Sequence, residues 1–189
     1  MFFMWLEQVQ QYCSLQNIGK KITTNYCDME PANSINSIQP GRLKLYFCKD
    51  CYHIQLGHVV DPQILYQKNY SYVSATSAHF VSHLKSYATE MIDRFHLQFG
   101  DLVADIGSND GTCLSFFKDA GMIVVGVDPA TDIAEHATKS GIETVTDFFG
   151  YDLAVGLRKK YGAAKYITSH NACAHIDDLY DVVKGVECW

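Results

Sequence analysis

The chain has 189 residues, 48% of them hydrophobic, enough to bury a real core in one medium domain or in a small module joined to a second. A formal charge of -6, with no basic run longer than Arg158-Lys159-Lys160, argues against nucleic acid as a partner, because a phosphate backbone calls for a basic face. The apolar start Met1-Phe-Phe-Met-Trp-Leu6 is followed at once by Glu7 and has no basic segment before it, so it reads as neither an export signal nor a membrane span.

Seven cysteines, an odd number without an export signal, place the chain in a reducing compartment, with cytoplasm the default and no disulfides expected. Residues 1 to about 60 show no helical or strand periodicity over a long window and carry turn signals at Glu30-Pro31, Asn33-Ser34 and Gln39-Pro40-Gly41. They read as a small loop-rich module, of the kind that commonly needs a staple. Cys48-Lys-Asp-Cys51, after the strand-like run 43–47, has the knuckle spacing that lets two thiolates reach one zinc ion. Three alternatives stay open for the site: four thiolates from Cys13, Cys27, Cys48 and Cys51, completion by His53 or His58, or a knuckle with no metal.

From Asp61-Pro62 the texture changes. A short helix starting at Pro62 leads into a loop rich in aromatics and hydroxyls, Tyr70-Ser-Tyr-Val-Ser-Ala-Thr-Ser77. Between Ala78 and His96 the apolar positions Phe80, Leu84, Tyr87, Met91, Ile92 and Phe95 recur at helical steps, with Thr76 or Ser77 near the cap. The division expected is a module over 1–77, a linking helix over 78–99 and a nucleotide-type domain over 100–189.

Beyond residue 100, strand alternates with helix, the pattern of a parallel sheet covered on both faces. Strands are predicted at 102–106, 123–127, 143–146 and 165–169, and helices near 112–120, 131–139, 150–161 and 177–186. The first strand runs into Asp105-Ile-Gly-Ser-Asn-Asp-Gly111, a loop whose two glycines permit torsions and approaches that a Cβ would block. A dinucleotide fingerprint would need glycines at 107, 109 and 112, and Asn109 and Thr112 stand at the last two. The second strand ends at Asp128, where a carboxylate can accept both hydroxyls of a ribose or cap the helix that follows. Asp147-Phe148-Phe149 would set an acceptor and aromatic faces where an adenine sits, Phe packing being the alternative. After the fourth strand, Asn171 is placed to hold the amino-acid end of a cofactor, and His170 and His175 are candidates for acid, base or packing roles.

Several motifs in chain order are similar to one family. Met29-Glu-Pro-Ala-Asn33, Cys48-Lys-Asp-Cys51 with Ile54-Gln-Leu56, Tyr70-Ser-Tyr72 with Ser74 and Ser77, Asp105-Ile-Gly-Ser-Asn-Asp-Gly-Thr112, Gly126-Val-Asp-Pro-Ala130, and His170-Asn171 through His175-Ile-Asp-Asp178 resemble the S-adenosylmethionine (SAM)-dependent sugar C-methyltransferases. The resemblance implies an α/β fold, a Rossmann-like class I methyltransferase sheet of about four parallel strands, incomplete, behind a small zinc-ribbon-like module. Carried over position by position, it assigns Asp105, Gly107, Asn109, Gly111, Asp128, Asp147, Phe148 and Asn171 to SAM, and Tyr70, Tyr72 and His175 to the side of the substrate, a nucleotide-linked keto-deoxysugar. The chemistry it implies is deprotonation beside a keto group and attack of the enolate on the methyl of SAM.

Two departures bear on these assignments. Cys13 is in place but Gln16 stands where its metal-binding partner should be, and the chain stops at Trp189, before the family's Glu-His pair and C-terminal domain. The expectation is therefore a SAM-binding portion that works once a second polypeptide, or another copy, completes it. The alternative is a non-catalytic module that still binds SAM.

Overall fold

Leu102-Val-Ala-Asp-Ile106 offers apolar side chains to both faces of a strand, the composition of a central strand in a sheet covered on both sides. In the computed structural model, which describes residues 22–26, 44–48, 51–56, 60–67 and 70–189, all five of these residues are buried. The chain divides into two compact units, Met1–Asp61 and Pro62–Trp189.

The first unit contains an antiparallel sheet of β1 (Ile22–Tyr26), β2 (Lys44–Cys48) and β3 (Ile54–Leu56), in that order. Leu45 pairs with Leu56 and Phe47 with Ile54, so β2 and β3 form a hairpin around the Cys48–Cys51 turn. That turn is closed by Cys48 N–H donating to the His53 carbonyl (2.9 Å) and Tyr52 N–H donating to the Cys48 carbonyl (2.8 Å), with Tyr52 left-handed at φ 60°. The strand-like run expected at 43–47 is β2, and strands of five and three residues are too short for alternation to register over a long window. Cys13 and Cys27, half of the expected thiolate set, lie outside the described residues.

The second unit is a four-stranded parallel sheet with helices on both faces. After α1 (Ala78–Phe95), its elements are β4 (Leu102–Ile106), α2 (Thr112–Asp119), β5 (Ile123–Val127), α3 (Thr131–Lys139), β6 (Thr144–Val145), α4 (Tyr151–Tyr161), β7 (Tyr166–Thr168) and α5 (Leu179–Cys188). The strand order is β6-β5-β4-β7, so the chain reverses its direction of winding beside β4. The strands expected at 143–146 and 165–169 shorten to β6 and β7, which lie at the two edges of this sheet and each pair with one neighbour.

One core lies on the Val103 face of β4, where α1 brings Leu84, Ala88 and Met91 against Cys113, Leu114 and Phe117 of α2. The other packs Leu102, Ala104 and Ile106 with Val125, Val127, Leu157, Val182 and Trp189. Helix α1, expected to link two modules, thus belongs to the core of the second unit. Ser77 caps it, accepting from Phe80 N–H at 3.3 Å. Among the described residues, no helix is long and apolar enough to cross a membrane.

Phe117 is fully buried between α1, α2 and the sheet. Phe117→Ala is expected to lower unfolding stability by about 3–5 kcal/mol, read from urea denaturation, because the cavity left behind cannot collapse between rigid elements.

Candidate cofactor site

The site begins where β4 ends. Gly107 turns the chain at φ 75°, and its N–H and that of Ser108 both donate to the Val127 carbonyl (2.8 and 3.2 Å), which holds the loop against the end of β5. A Cβ on Gly107 would lie 2.5 Å from that of Ala172, so glycine is demanded by the torsion and by the close approach of the loop after β7. Gly111 closes the loop at φ 77° and begins α2. Asn171, on the facing loop, is itself left-handed at φ 56°.

Asp128, 5% exposed, ties the loop after β4 to its own loop after β5. Its Oδ2 accepts from Asn109 N–H (2.8 Å) and its Oδ1 from Ala130 N–H (2.9 Å). Burial raises its pKa, and these two amides oppose the rise. Each oxygen keeps a lone pair for a further donor such as a sugar hydroxyl.

Sequence reasoning assigned Asn109 to the cofactor, yet the structure turns its side chain toward the chain itself. Oδ1 accepts from Ser74 N–H (2.9 Å) and Nδ2 donates to the Tyr72 carbonyl (2.9 Å). Asp110, which the sequence did not single out, accepts from Ala75 N–H (2.9 Å) through Oδ2 and from the N–H and hydroxyl of Thr112 (3.1 and 2.7 Å) through Oδ1. Contacts between residues 35 apart leave no local pattern from which to read them.

The segment thus anchored carries the predicted tyrosines. The pKa of Tyr70 is raised by burial first, then by the charge of Asp128 and by Tyr66 and Tyr72, which sets its hydroxyl in the field of the Asp128 carboxylate. Tyr66 packs edge-on against Tyr70 (5.6 Å between centroids) and tilted against His175 (6.2 Å), so His175, Tyr66 and Tyr70 form one aromatic row. Tyr66 went unnoticed in the sequence because its neighbours in the fold are remote in the chain. Asp147 accepts from the N–H of Phe148 (2.8 Å), and Phe148 is half-buried after β6. Cys48 and Cys51 lie half-buried in the first unit.

Asp105 is the most constrained group. It is 2% exposed, its Oδ1 has no hydrogen-bond partner, and no ion pair among the described residues reaches it. Burial, reinforced by Asp128, raises its pKa well above the ordinary carboxylate range. On the same face lie Cys113, its thiol pushed up by burial and by Asp105, and His170, its pKa lowered by burial and by His83. Ligand-type atoms of Asp105, Cys113 and His170 all fall within 4.8 Å of one another, and Nδ1 of His170 is also without a partner. A buried carboxylate in this state calls for a cation or a proton.

No protein-family model matches the chain. Over 144 residues it is 33% identical to the C-methyltransferase NovU of Streptomyces niveus, a stretch that covers 76% of this chain and 34% of that protein. Among solved structures, magnesium protoporphyrin IX methyltransferase from Synechocystis with bound S-adenosylhomocysteine (SAH) is similar at TM-score 0.45 and 15% identity, over 56% of this chain and 49% of that one. Phosphoethanolamine N-methyltransferase 2 of Haemonchus contortus, in complex with SAM, is similar at TM-score 0.42 and 20% identity, over 53% and 24% of the two chains. The chain spans about a third of the length of NovU.

Because burial raises the Asp105 pKa, the ligand-free native state holds its proton to higher pH than the unfolded chain does. Stability is therefore lost as pH rises from the unfolded value toward the folded one. Asp105→Asn, which cannot ionise, is expected to flatten that slope and raise the melting temperature of the ligand-free chain at pH 7.5 by about 3 °C. Scanning calorimetry from pH 5 to 8 reads both effects, and a lower melting temperature with an unchanged slope would contradict the assignment.

Proposed function

We propose that this chain binds SAM at the carboxyl edge of β4 and β5 and serves a C-methyltransferase acting on a nucleotide-linked keto-deoxysugar. A second polypeptide or another copy completes the substrate side. The observation that carries the reading is the unpartnered Asp105 carboxylate beside a second buried carboxylate, Asp128. Two acids at one loop favour a ligand with positive charge, such as SAM with its ammonium and sulfonium, and disfavour the pyrophosphate of a dinucleotide. Similarity to a C-methyltransferase over 76% of the chain supports the same reaction class.

In this reading the residues present fit the cofactor. Asp105 would meet the ammonium, Asn171 and the Gly107 loop the rest of the amino-acid end, Asp128 the ribose hydroxyls, and Asp147 with Phe148 the adenine. Bound SAM supplies a methyl group made electrophilic by its sulfonium. Tyr70, Tyr72 and His175 line the approach of the acceptor. Burial, and after it the charge of Asp128, raises the Tyr70 pKa, which suits its hydroxyl to donate a hydrogen bond rather than to take up a proton. The base that removes the proton beside the keto group is then His175 or a group on the completing chain. The knuckle at Cys48 and Cys51 retains the zinc reading for the first unit, with Cys13 and Cys27 as the remaining candidates.

Calorimetric titration with SAH, and with NADH as the control, tests the assignment. Saturable binding of SAH alone is expected, weakened about tenfold or more by Asp128→Ala, since loss of that carboxylate removes hydrogen bonds from the ligand and from Asn109 N–H. Binding of NADH, or SAH binding unchanged in both Asp128→Ala and Gly107→Val, would refute it.

A further inference from the structure

The loop after β4 does more than border a ligand. Three hydrogen bonds run from it to the backbone of residues 72–75: Ser74 N–H and Ala75 N–H donate to Asn109 Oδ1 and Asp110 Oδ2, and the Tyr72 carbonyl accepts from Asn109 Nδ2. Ser74 and Asn109 are 9% and 6% exposed, so this bond is shielded from competing water. The segment offers only main-chain groups, which means the recognition does not depend on its own side chains. The side chain of Tyr72, whose carbonyl is held, stays exposed, and Tyr70 stands two residues before it.

The anchoring residues are themselves held. Asn109 N–H is bound by Asp128, its backbone is left-handed at φ 52°, and Asp110 divides its two oxygens between the start of α2 and the tyrosine segment. Asp128, Asn109 and the segment are thus joined by consecutive hydrogen bonds. Tyr70 stands two residues before the anchored Tyr72 and packs edge-on against Tyr66, with 5.6 Å between ring centroids.

From these consecutive hydrogen bonds, and resting on the SAM reading above, we infer that Asp110 and the side chain of Asn109 are positioning residues. They clamp the tyrosine segment onto the cofactor loop, so that cofactor occupancy and the placement of Tyr70 are coupled. The methyl acceptor then meets an ordered Tyr70 only after the loop has closed on the cofactor. Neither residue is asked to touch the reacting atoms.

Two substitutions separate the clamp from local structure. Asp110→Ser keeps an oxygen for Thr112 N–H, as serine does in such turns, and lacks the second oxygen that reaches Ala75. Asn109→Gly tolerates the left-handed backbone and removes both side-chain bonds. With 3-fluorotyrosine in place of Tyr70 in the full chain, the ¹⁹F resonance is followed during titration with SAH. In the otherwise native chain, saturation is expected to shift the resonance. In either variant the shift should be lost while SAH still binds, its affinity reduced about tenfold at most for the bonds removed. A Tyr70 response equal to that of the native chain in both variants would overturn the clamp. If the native chain fails to bind SAH, the cofactor reading falls. The clamp is then judged on ligand-free protein, where a Tyr70 resonance identical in native chain, Asp110→Ser and Asn109→Gly overturns it, and a solvent-like resonance in the variants alone upholds it.

Discussion

The second unit depends on one carboxylate. Asp128 gathers the amides of Asn109 and Ala130, one on each oxygen, and so ties the loop after β4 to the loop after β5 across the carboxyl edge of the sheet. The parallel register makes this available: Ile106 stands opposite Val127, and the chain leaves both strands at the same height. Without that tie, Asn109 has no reason to adopt a left-handed backbone, which costs a non-glycine residue about 1 kcal/mol or more. Its side chain would not then face residues 72–74. The position of the tyrosines thus follows from a hydrogen bond made to a strand end on the other side of the loop.

How much of this could be read from the sequence depended on the range of the interaction. Strands β4 and β5 and helix α3 were legible to the residue, because apolar runs bounded by Gly121 and Gly141 carry their own punctuation. Helix α1 was legible from its apolar spacing, though not its place: the same stripe that reads as a linker packs Leu84, Ala88 and Met91 against α2. Strand β1 was missed, since Ile-Thr-Thr-Asn-Tyr, as short as β4 and β5, sets three polar residues in its middle and forms no apolar run. Around the loop after β4, Gly107, Gly111 and Asp128 stood out by type and spacing, while the contacts of Asp110 and Tyr66 did not. Hydrogen bonds spanning 35 residues exist only once the sheet has brought their ends together.

Asp105 illustrates a conflict between folding and binding within a single strand. An apolar residue at that position would continue the pattern of Val103 and pack beside Cys113 and Phe117. The chain instead buries a carboxylate with an unfilled oxygen, which destabilises the empty fold. Such local violations of good packing collect where ligands bind. Tyr87 shows the contrasting solution on the same face: its hydroxyl meets those of Tyr166 (2.6 Å) and Thr168 (2.8 Å), so every oxygen of that trio has a partner.

A consequence of the sealed Asp105 concerns the medium rather than the protein. A carboxylate that keeps its proton beyond the ordinary range must give that proton up when a cation settles beside it, and the proton passes to the buffer. A cation bound against Asp105, as in the reading proposed above, would then release a proton. The apparent strength of that binding would grow as the solution becomes more alkaline, and the heat it produces would differ between phosphate and Tris by the ionisation enthalpies of the buffers themselves.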